Sequence, residues 1–204
     1  MIYLARMTSI IYTKAYKEPP VDKREALRYA GVRGEDPMSE ALVSECLRDI
    51  LDALSYRVCY REIGVDEPFA HHILSSSQSL ARAMAGVSSI IVFAATVGSA
   101  PDAFVRRASI SSPARAVMYQ AIGAERIEAL CDAFCEDMQC SYADRGFVLT
   151  GRFSPGYGDL SLDIQRDIFG LLDCPRQIGL ALSESLIMIP TKSVSAIIGI
   201  KDKD

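Results

Sequence analysis

Gly151-Arg152-Phe153-Ser154-Pro155-Gly156-Tyr157-Gly158-Asp159 is the stretch where the chain passes from sheet to helix. Ahead of it, Phe147 to Phe153 reads as a strand. Behind it, Leu160, Ile164, Ile168, Leu171 and Leu172 recur at helical spacing. Pro155 presets φ for the second position of a tight turn, and Gly156 accepts the positive φ that a type II turn requires next. The stretch therefore reads as a strand-to-helix corner with a turn over Ser154 to Tyr157. Asp159 or Ser161 is suited to cap the following helix. Such a corner aims backbone N–H groups and a helix dipole at whatever lies above it, which suits an anion. Arg152 adds a planar fork that matches a carboxylate, and Tyr157 a flat face with a hydroxyl. Two readings stand at this point. One is a holder for a small zwitterion carrying an aromatic ring. The other is a plain connector with a surface arginine and a half-buried tyrosine.

The bulk properties narrow the function classes. The chain has 204 residues, enough to bury a core. Half its residues are hydrophobic and 24% are charged, which is a globular balance. With 22 Lys and Arg against 26 acids, the net charge is −4 and no basic tract is present, which argues against a general nucleic-acid binder. No run of apolar residues is long enough for a membrane helix, and Met1 to Arg6 carries no signal-type core, so a cytoplasmic protein is expected. The six cysteines form no CxxC pair, and the two histidines, His71 and His72, are adjacent and far from them in sequence; no metal site is expected. Reduced, mostly buried thiols are expected instead. No nucleophile elbow, Walker loop, HExxH or paired acid/base carboxylate motif appears, so no catalytic residue is assigned.

Working outward from the corner, the late chain is strand-like. Ile178, Leu180 and Leu182 alternate, Leu186 to Ile189 run together, and Val194, Ala196, Ile198 and Ile200 alternate again. Ile90 to Ala95 is a strand buried on both faces, and the Thr96-Val97-Gly98-Ser99 loop after it is placed to line a cleft. The Arg57, Cys59 and Arg61 face of another strand reads as solvated. Ser9 to Tyr12 fits an edge strand. Ser39 to Leu54 is a core helix, Ser77 to Ala85 a short one, and residues 64 to 76, with both histidines, are loop-like. The longest helix opens at Ser112-Pro113 and runs to about Gln139. These signals predict one α+β domain over 1–204: a mostly antiparallel twisted sheet flanked by helices, with 1–86 mainly helical and 87–200 holding the corner.

On the long helix, the expected inward stripe is Val117, Ala121, Ala124, Glu128, Cys131, Cys135 and Met138. Glu128 is the exception, a carboxylate in an apolar seam, and burying it without a partner would cost several kcal/mol. Either it meets a ligand amine or hydroxyl, or it sits at the stripe edge paired with an arginine.

Arg152-x-x-x-Gly156-Tyr157, with Ile178-Gly179-Leu180-Ala181-Leu182-Ser183-Glu184-Ser185 and Ser193-Val194-Ser195-Ala196 downstream, resembles the activation domain of cobalamin-dependent methionine synthase, and most closely its small stand-alone relatives. The resemblance runs from about Val92 to Ile200. It implies an activation-domain-like fold and a site for S-adenosylmethionine (AdoMet) at Arg152, Ser154, Gly156 and Tyr157, with Glu128 as the ligand-contacting acid of the long helix. It also implies cobalamin supplied by a partner methyltransferase subunit, an electron-transfer partner such as a flavodoxin, and reductive methylation of the cobalt. The cobalt is then the nucleophile, which fits the missing catalytic base. The chain lacks the Asp-x-His-x-x-Gly string by which the cobalamin domain of that family supplies a cobalt ligand. Two departures favour an alternative, an AdoMet-binding sensor or structural subunit without transfer chemistry. The chain ends soon after Ile200, where the methionine synthase module continues, and that module's N-terminal AdoMet-contacting Asp has no clear match.

Overall fold

The strand pair β3 (Ser89–Thr96) and β7 (Ser193–Asp202) forms the centre of the fold. Residues Ile90 to Ala95 are wholly buried, as their unbroken apolar run requires. The two strands run antiparallel in register from Ser89 opposite Ile200 to Thr96 opposite Ser193. β2 (Arg57–Gly64) and β1 (Tyr12–Ala15) extend the sheet on one side and β4 (Phe147–Leu149) on the other, all antiparallel, in the order β1-β2-β3-β7-β4. The computed structural model describes residues 10–203; Ser9 and Met1 to Arg6 lie outside them, and the edge strand begins at Tyr12. The fold is α+β on a five-stranded antiparallel sheet, with strands contributed by both parts of the chain.

Helices cover both faces. On one, the long helix α6 (Pro113–Ala143) lays Ile127, Leu130, Cys131, Phe134 and Met138 against Ile91, Phe93, Ala196, Ile198 and Ile200. On the other, α3 (Pro68–Ser75), α4 (Gln78–Ala83), α7 (Ile164–Leu172) and α8 (Cys174–Ile178) pack over Cys59, Ile63, Val92, Ala94 and Ile197. A third cluster joins the first half of α6 to α1 (Lys23–Tyr29), α2 (Pro37–Ile50) and α5 (Ala100–Ser111).

Several local expectations are corrected. Residues 68–75 are helical, because Pro68 opens the first turn and Ala70 and Ile73 find a core to bury against. Asp36, not Ser39, caps α2, accepting from the Met38 N–H at 3.2 Å. On β2, Val58 joins one apolar cluster and Cys59 and Ile63 the other, so the face expected to be solvated is buried at Cys59 while Arg57 stays exposed. Val194 to Ile200 falls in β7 as expected, but Ile178 lies in α8, and of the 178–189 stretch β5 (Ala181–Leu182) and β6 (Met188–Ile189) form strands, as a separate hairpin. Of the stripe expected on α6, Ala121, Cys131 and Met138 are buried and Ala124, Glu128 and Cys135 half-buried, but Val117 is exposed, and the charged residues in the interior are Glu125 and Arg126.

Arg126 is wholly buried and Glu125 is 3% exposed. The guanidinium grips the carboxylate through Nε and Nη2, both at 2.5 Å, and donates to the carbonyls of Pro19 and Pro20 at 2.7 and 2.6 Å. Glu125 also accepts from the Asp22 N–H at 3.0 Å. The pair thus pins the segment leading into α1 along the flank of α6.

The corner is anchored in the same direct way. Asp159 accepts from Ser77 Oγ and from the N–H groups of Gln78 and Ser79, at 2.5, 2.8 and 3.0 Å, so it caps α4 and not the helix that follows it. Helix α7 starts later, at Ile164; Ser161 Oγ accepts the Asp163 N–H at 3.2 Å just before it.

Two outcomes are expected. Arg126→Met should destabilise the protein by about 3–5 kcal/mol in denaturant unfolding, because it strands a buried carboxylate. The second concerns acid. Hydrogen bonds from Ser77, Ser79 and Gln78 hold the Asp159 carboxyl well below the usual carboxylate range. A depressed folded pKa stabilises at pH values above the unfolded pKa of ~4 and loses that contribution as pH falls below it. Unfolding measured from pH 6 downward should therefore give a flatter acid limb for Asp159→Asn than for the parent.

Candidate functional site

The turn forms as its residues dictate. The Tyr157 N–H donates to the Ser154 carbonyl at 3.1 Å, and Gly156 has φ +88°, the third position of a type II turn. A second loop closes on it: the Gly156 N–H donates to the Leu160 carbonyl at 2.9 Å and the Leu160 N–H to the Tyr157 carbonyl at 3.0 Å. Two of the corner's N–H groups are therefore engaged within it. Pro155 and Leu160 are buried and hold the loop down. Tyr157 stands out, 73% exposed, with its ring edge-on to Phe153 at 6.4 Å. Phe153 itself is tied to β7 by backbone hydrogen bonds in both directions with Ile197, each 2.9 Å.

Arg152 points the other way, toward α6. Its Nη2 donates to Glu128 Oε2 and to Asp132 Oδ1, both at 3.0 Å. Glu128 and Asp132 stand four residues apart, so one helix face presents both carboxylates. Burial opposes charge on the half-buried guanidinium, but Cys131 and Glu128 beside it raise its pKa, so it stays charged. The arginine pairing expected as one of two readings of Glu128 is thus present. The side chain nevertheless remains 42% exposed and lines a cleft.

That cleft, of about 440 Å³, runs between the Pro19–Glu25 segment and α6. Its wall carries six carboxylates: Asp22, Glu25, Glu125, Glu128, Asp132 and Glu136. Several are engaged already. Asp22 caps α1, Glu25 pairs with Arg28, Glu125 with Arg126, and Glu128 and Asp132 share Arg152. Burial and the nearby Glu128 and Glu25 carboxylates raise the Tyr29 phenol pKa. A more apolar cleft of about 320 Å³ continues along α6 beyond Glu136, lined by Cys135, Gln139, Cys140, Leu149, Thr150 and Ile198.

The structure thus brings Glu128 and Arg152 into contact. It holds Ser154, Gly156 and Tyr157 on the adjoining turn, outside the lining of the acidic cleft. Sequence reasoning did not assign Asp132, Asp22, Glu25 or Glu136 to the site, reading Asp22 and Glu25 only as a helix cap. Asp132 carried a usable signal, its i+4 spacing from Glu128; the N-terminal wall carried none, because the Glu125–Arg126 pair brings it there. The Thr96 to Ser99 loop sits at the start of β7, where Thr96 Oγ1 accepts from the Gly98 N–H and from Ser193 Oγ. His72 lies on exposed α3, 3.6 Å from Asp167. Among the described residues no helix is long and apolar enough to cross a membrane.

With this geometry in hand, the chain can be set beside known proteins. Its fold is similar to that in the crystal structure of the MetH reactivation domain bound to AdoHcy, with a TM-score of 0.60 and 17% sequence identity over 94% of this chain and 78% of that one. No curated protein matches it. The family model of the vitamin B12 dependent methionine synthase activation domain matches residues 79–203, which includes β3, α6, the Arg152 corner and β7. That match spans more than half of the sequence, and the chain belongs to the vitamin B12 dependent methionine synthase activation domain family.

Proposed function

We propose that this protein binds AdoMet at the Arg152 corner and presents it to cobalamin carried by a separate methyltransferase subunit, as the reactivation component of a corrinoid-dependent methionine synthase. The observation that carries the reading is the placement of Arg152. The arginine of the Arg-x-x-x-Gly-Tyr string is held by Glu128 and Asp132, two of the carboxylates that line the acidic cleft. A guanidinium has five N–H donors, and those not turned to these acids form the fork a ligand carboxylate needs. The cleft carboxylates suit the positive end of the same ligand. Ser154 and the Gly156 backbone would meet its polar atoms, and the exposed Tyr157 ring would flank it. When bound, AdoMet supplies an electrophilic methyl group, and the reduced cobalt of the partner supplies the nucleophile. This chain's part is to hold and orient the donor, which requires no base of its own.

The same reading places the protein in the cytoplasm, with a low-potential electron donor such as a flavodoxin as a further partner. A second reading, an AdoMet-binding sensor or structural subunit, draws on the two corner N–H groups already spent within the loop and on the prior pairing of Arg152.

Arg152→Ala should weaken AdoMet binding by roughly tenfold to a hundredfold in calorimetric titration, since a charge-assisted hydrogen bond contributes about 1.5–3 kcal/mol. Unchanged affinity would remove the corner from the site. Methyl transfer separates the two readings. The protein is mixed with a cobalamin-binding methyltransferase subunit, AdoMet and a low-potential reductant, and methylcobalamin is followed by absorbance. Formation faster than in a mixture lacking this protein is expected; an equal rate leaves the sensor or structural reading.

A further inference from the structure

Cys59 and Cys174 meet inside the core. Their sulfurs are 4.0 Å apart, across 115 residues of sequence, and both residues are wholly buried. Cys59 is on β2, in the middle of the sheet face that α7 and α8 cover; Cys174 is the first residue of α8. The other cysteines are placed differently. Cys46 lies in the cluster of α1, α2 and α5, Cys131 and Cys135 line the opposite sheet face from α6, and Cys140 is exposed on α6.

The element that carries Cys174 is short. Helix α8 spans five residues and is bounded by two left-handed residues, Asp173 with φ 46° and Gly179 with φ 70°. On its open side it is tied to the sheet edge by two exposed hydrogen bonds, Thr13 Oγ1 to Gln177 Oε1 at 2.9 Å and Arg57 Nη2 to the Gln177 carbonyl at 3.2 Å. Cys174 and Ile178 are the residues by which the helix reaches into the core, and the thiol pair joins it there to β2.

We propose that Cys59 and Cys174 are a redox-convertible dithiol, reduced in the state described here and closed by peroxide into a disulfide that fastens α8 to β2. The step balances as one peroxide and two thiols giving one disulfide and two waters. A thiolate attacks the peroxide oxygen to give a sulfenic acid and hydroxide, and the facing thiol then displaces the sulfenic oxygen as water. Each sulfur loses one electron, and the peroxide oxygens take both. Contact with Cys59 and burial push the Cys174 thiol up, so the first step is slow and proceeds through local opening of α8. Once formed, the bond closes a loop of more than a hundred residues, the span at which a crosslink constrains the unfolded chain most.

The test uses the full chain with Cys140→Ser, which removes the exposed thiol and the intermolecular links it would form. The protein is incubated with hydrogen peroxide, alkylated with N-ethylmaleimide in denaturant, digested and mapped by mass spectrometry. The expected product is a peptide pair joining Cys59 to Cys174, lighter by one hydrogen per thiol and released by dithiothreitol. Its thermal midpoint should lie roughly 5–10 °C above that of the reduced protein. Recovery of Cys59 and Cys174 as separate alkylated peptides, or of Cys174 joined to another cysteine, overturns the proposal. A Cys59–Cys174 link that leaves the midpoint unchanged overturns the fastening of α8.

Discussion

The buried pair of Glu125 and Arg126 sets the geometry of the half of the molecule that holds the cleft. Two adjacent residues on one helix turn carry opposite charges into the interior, and each ion taken from water costs several kcal/mol before compensation. The compensation is nearly complete here. The carboxylate takes two guanidinium donors and the Asp22 N–H, while the guanidinium also meets the Pro19 and Pro20 carbonyls. The Pro19 and Pro20 carbonyls serve as the acceptors that a buried cation needs. Held by these contacts, the segment places Asp22 and Glu25 along the same cleft as Glu128.

Much of the fold was legible because its strands and its longest helix obey simple periodicities. The unbroken run from Ile90 to Ala95 announces a strand buried on both faces, and the alternation from Val194 to Ile200 places every second residue on the α6 face. Ser112-Pro113 marks the start of α6, although Ser112 makes no side-chain cap bond and the helix runs on to Ala143. The breadth of the buried surface of α6 was not legible. Between Ala121 and Ile127 it buries nearly every residue, because α1, α2 and α5 enclose it together with the sheet, and a helix covered all round has no single stripe to read. Short elements fail for a different reason. The helicity of 68–75 and of 174–178 comes from tertiary contact, since segments of this length do not hold a helix alone.

The corner shows the same division between local and distant causes. Its turn follows from Pro155 and Gly156 and could be written down from the sequence, because type II geometry is decided within four residues. What Asp159 does could not. Its partners lie eighty residues away on α4, and a local rule assigned it to the next helix. Using Asp159 for α4 leaves α7 to start four residues further on, so the helix end that was expected to face a ligand above the turn is set back from it. The positive charge at this site therefore comes from Arg152, and the dipole of α7 is secondary.

Glu128 is both paired and accessible. It pairs with an arginine, as an acid at the edge of an apolar seam must, and it faces a cleft, as a ligand contact must. Pairing and exposure coexist because Arg152 takes Glu128 and Asp132 with a single nitrogen, Nη2. The partner acids fix the guanidinium plane without using the whole fork, so binding would not start from a freely rotating side chain. They also keep the local charge negative, with two acids to one arginine. On the proposed function, that arrangement matches a ligand with one carboxylate and two cationic centres better than it matches a simple anion. A corner recognising phosphate or a dicarboxylate would have to bring a second negative group against Asp132 and Glu136, where like charges repel through a partly buried wall.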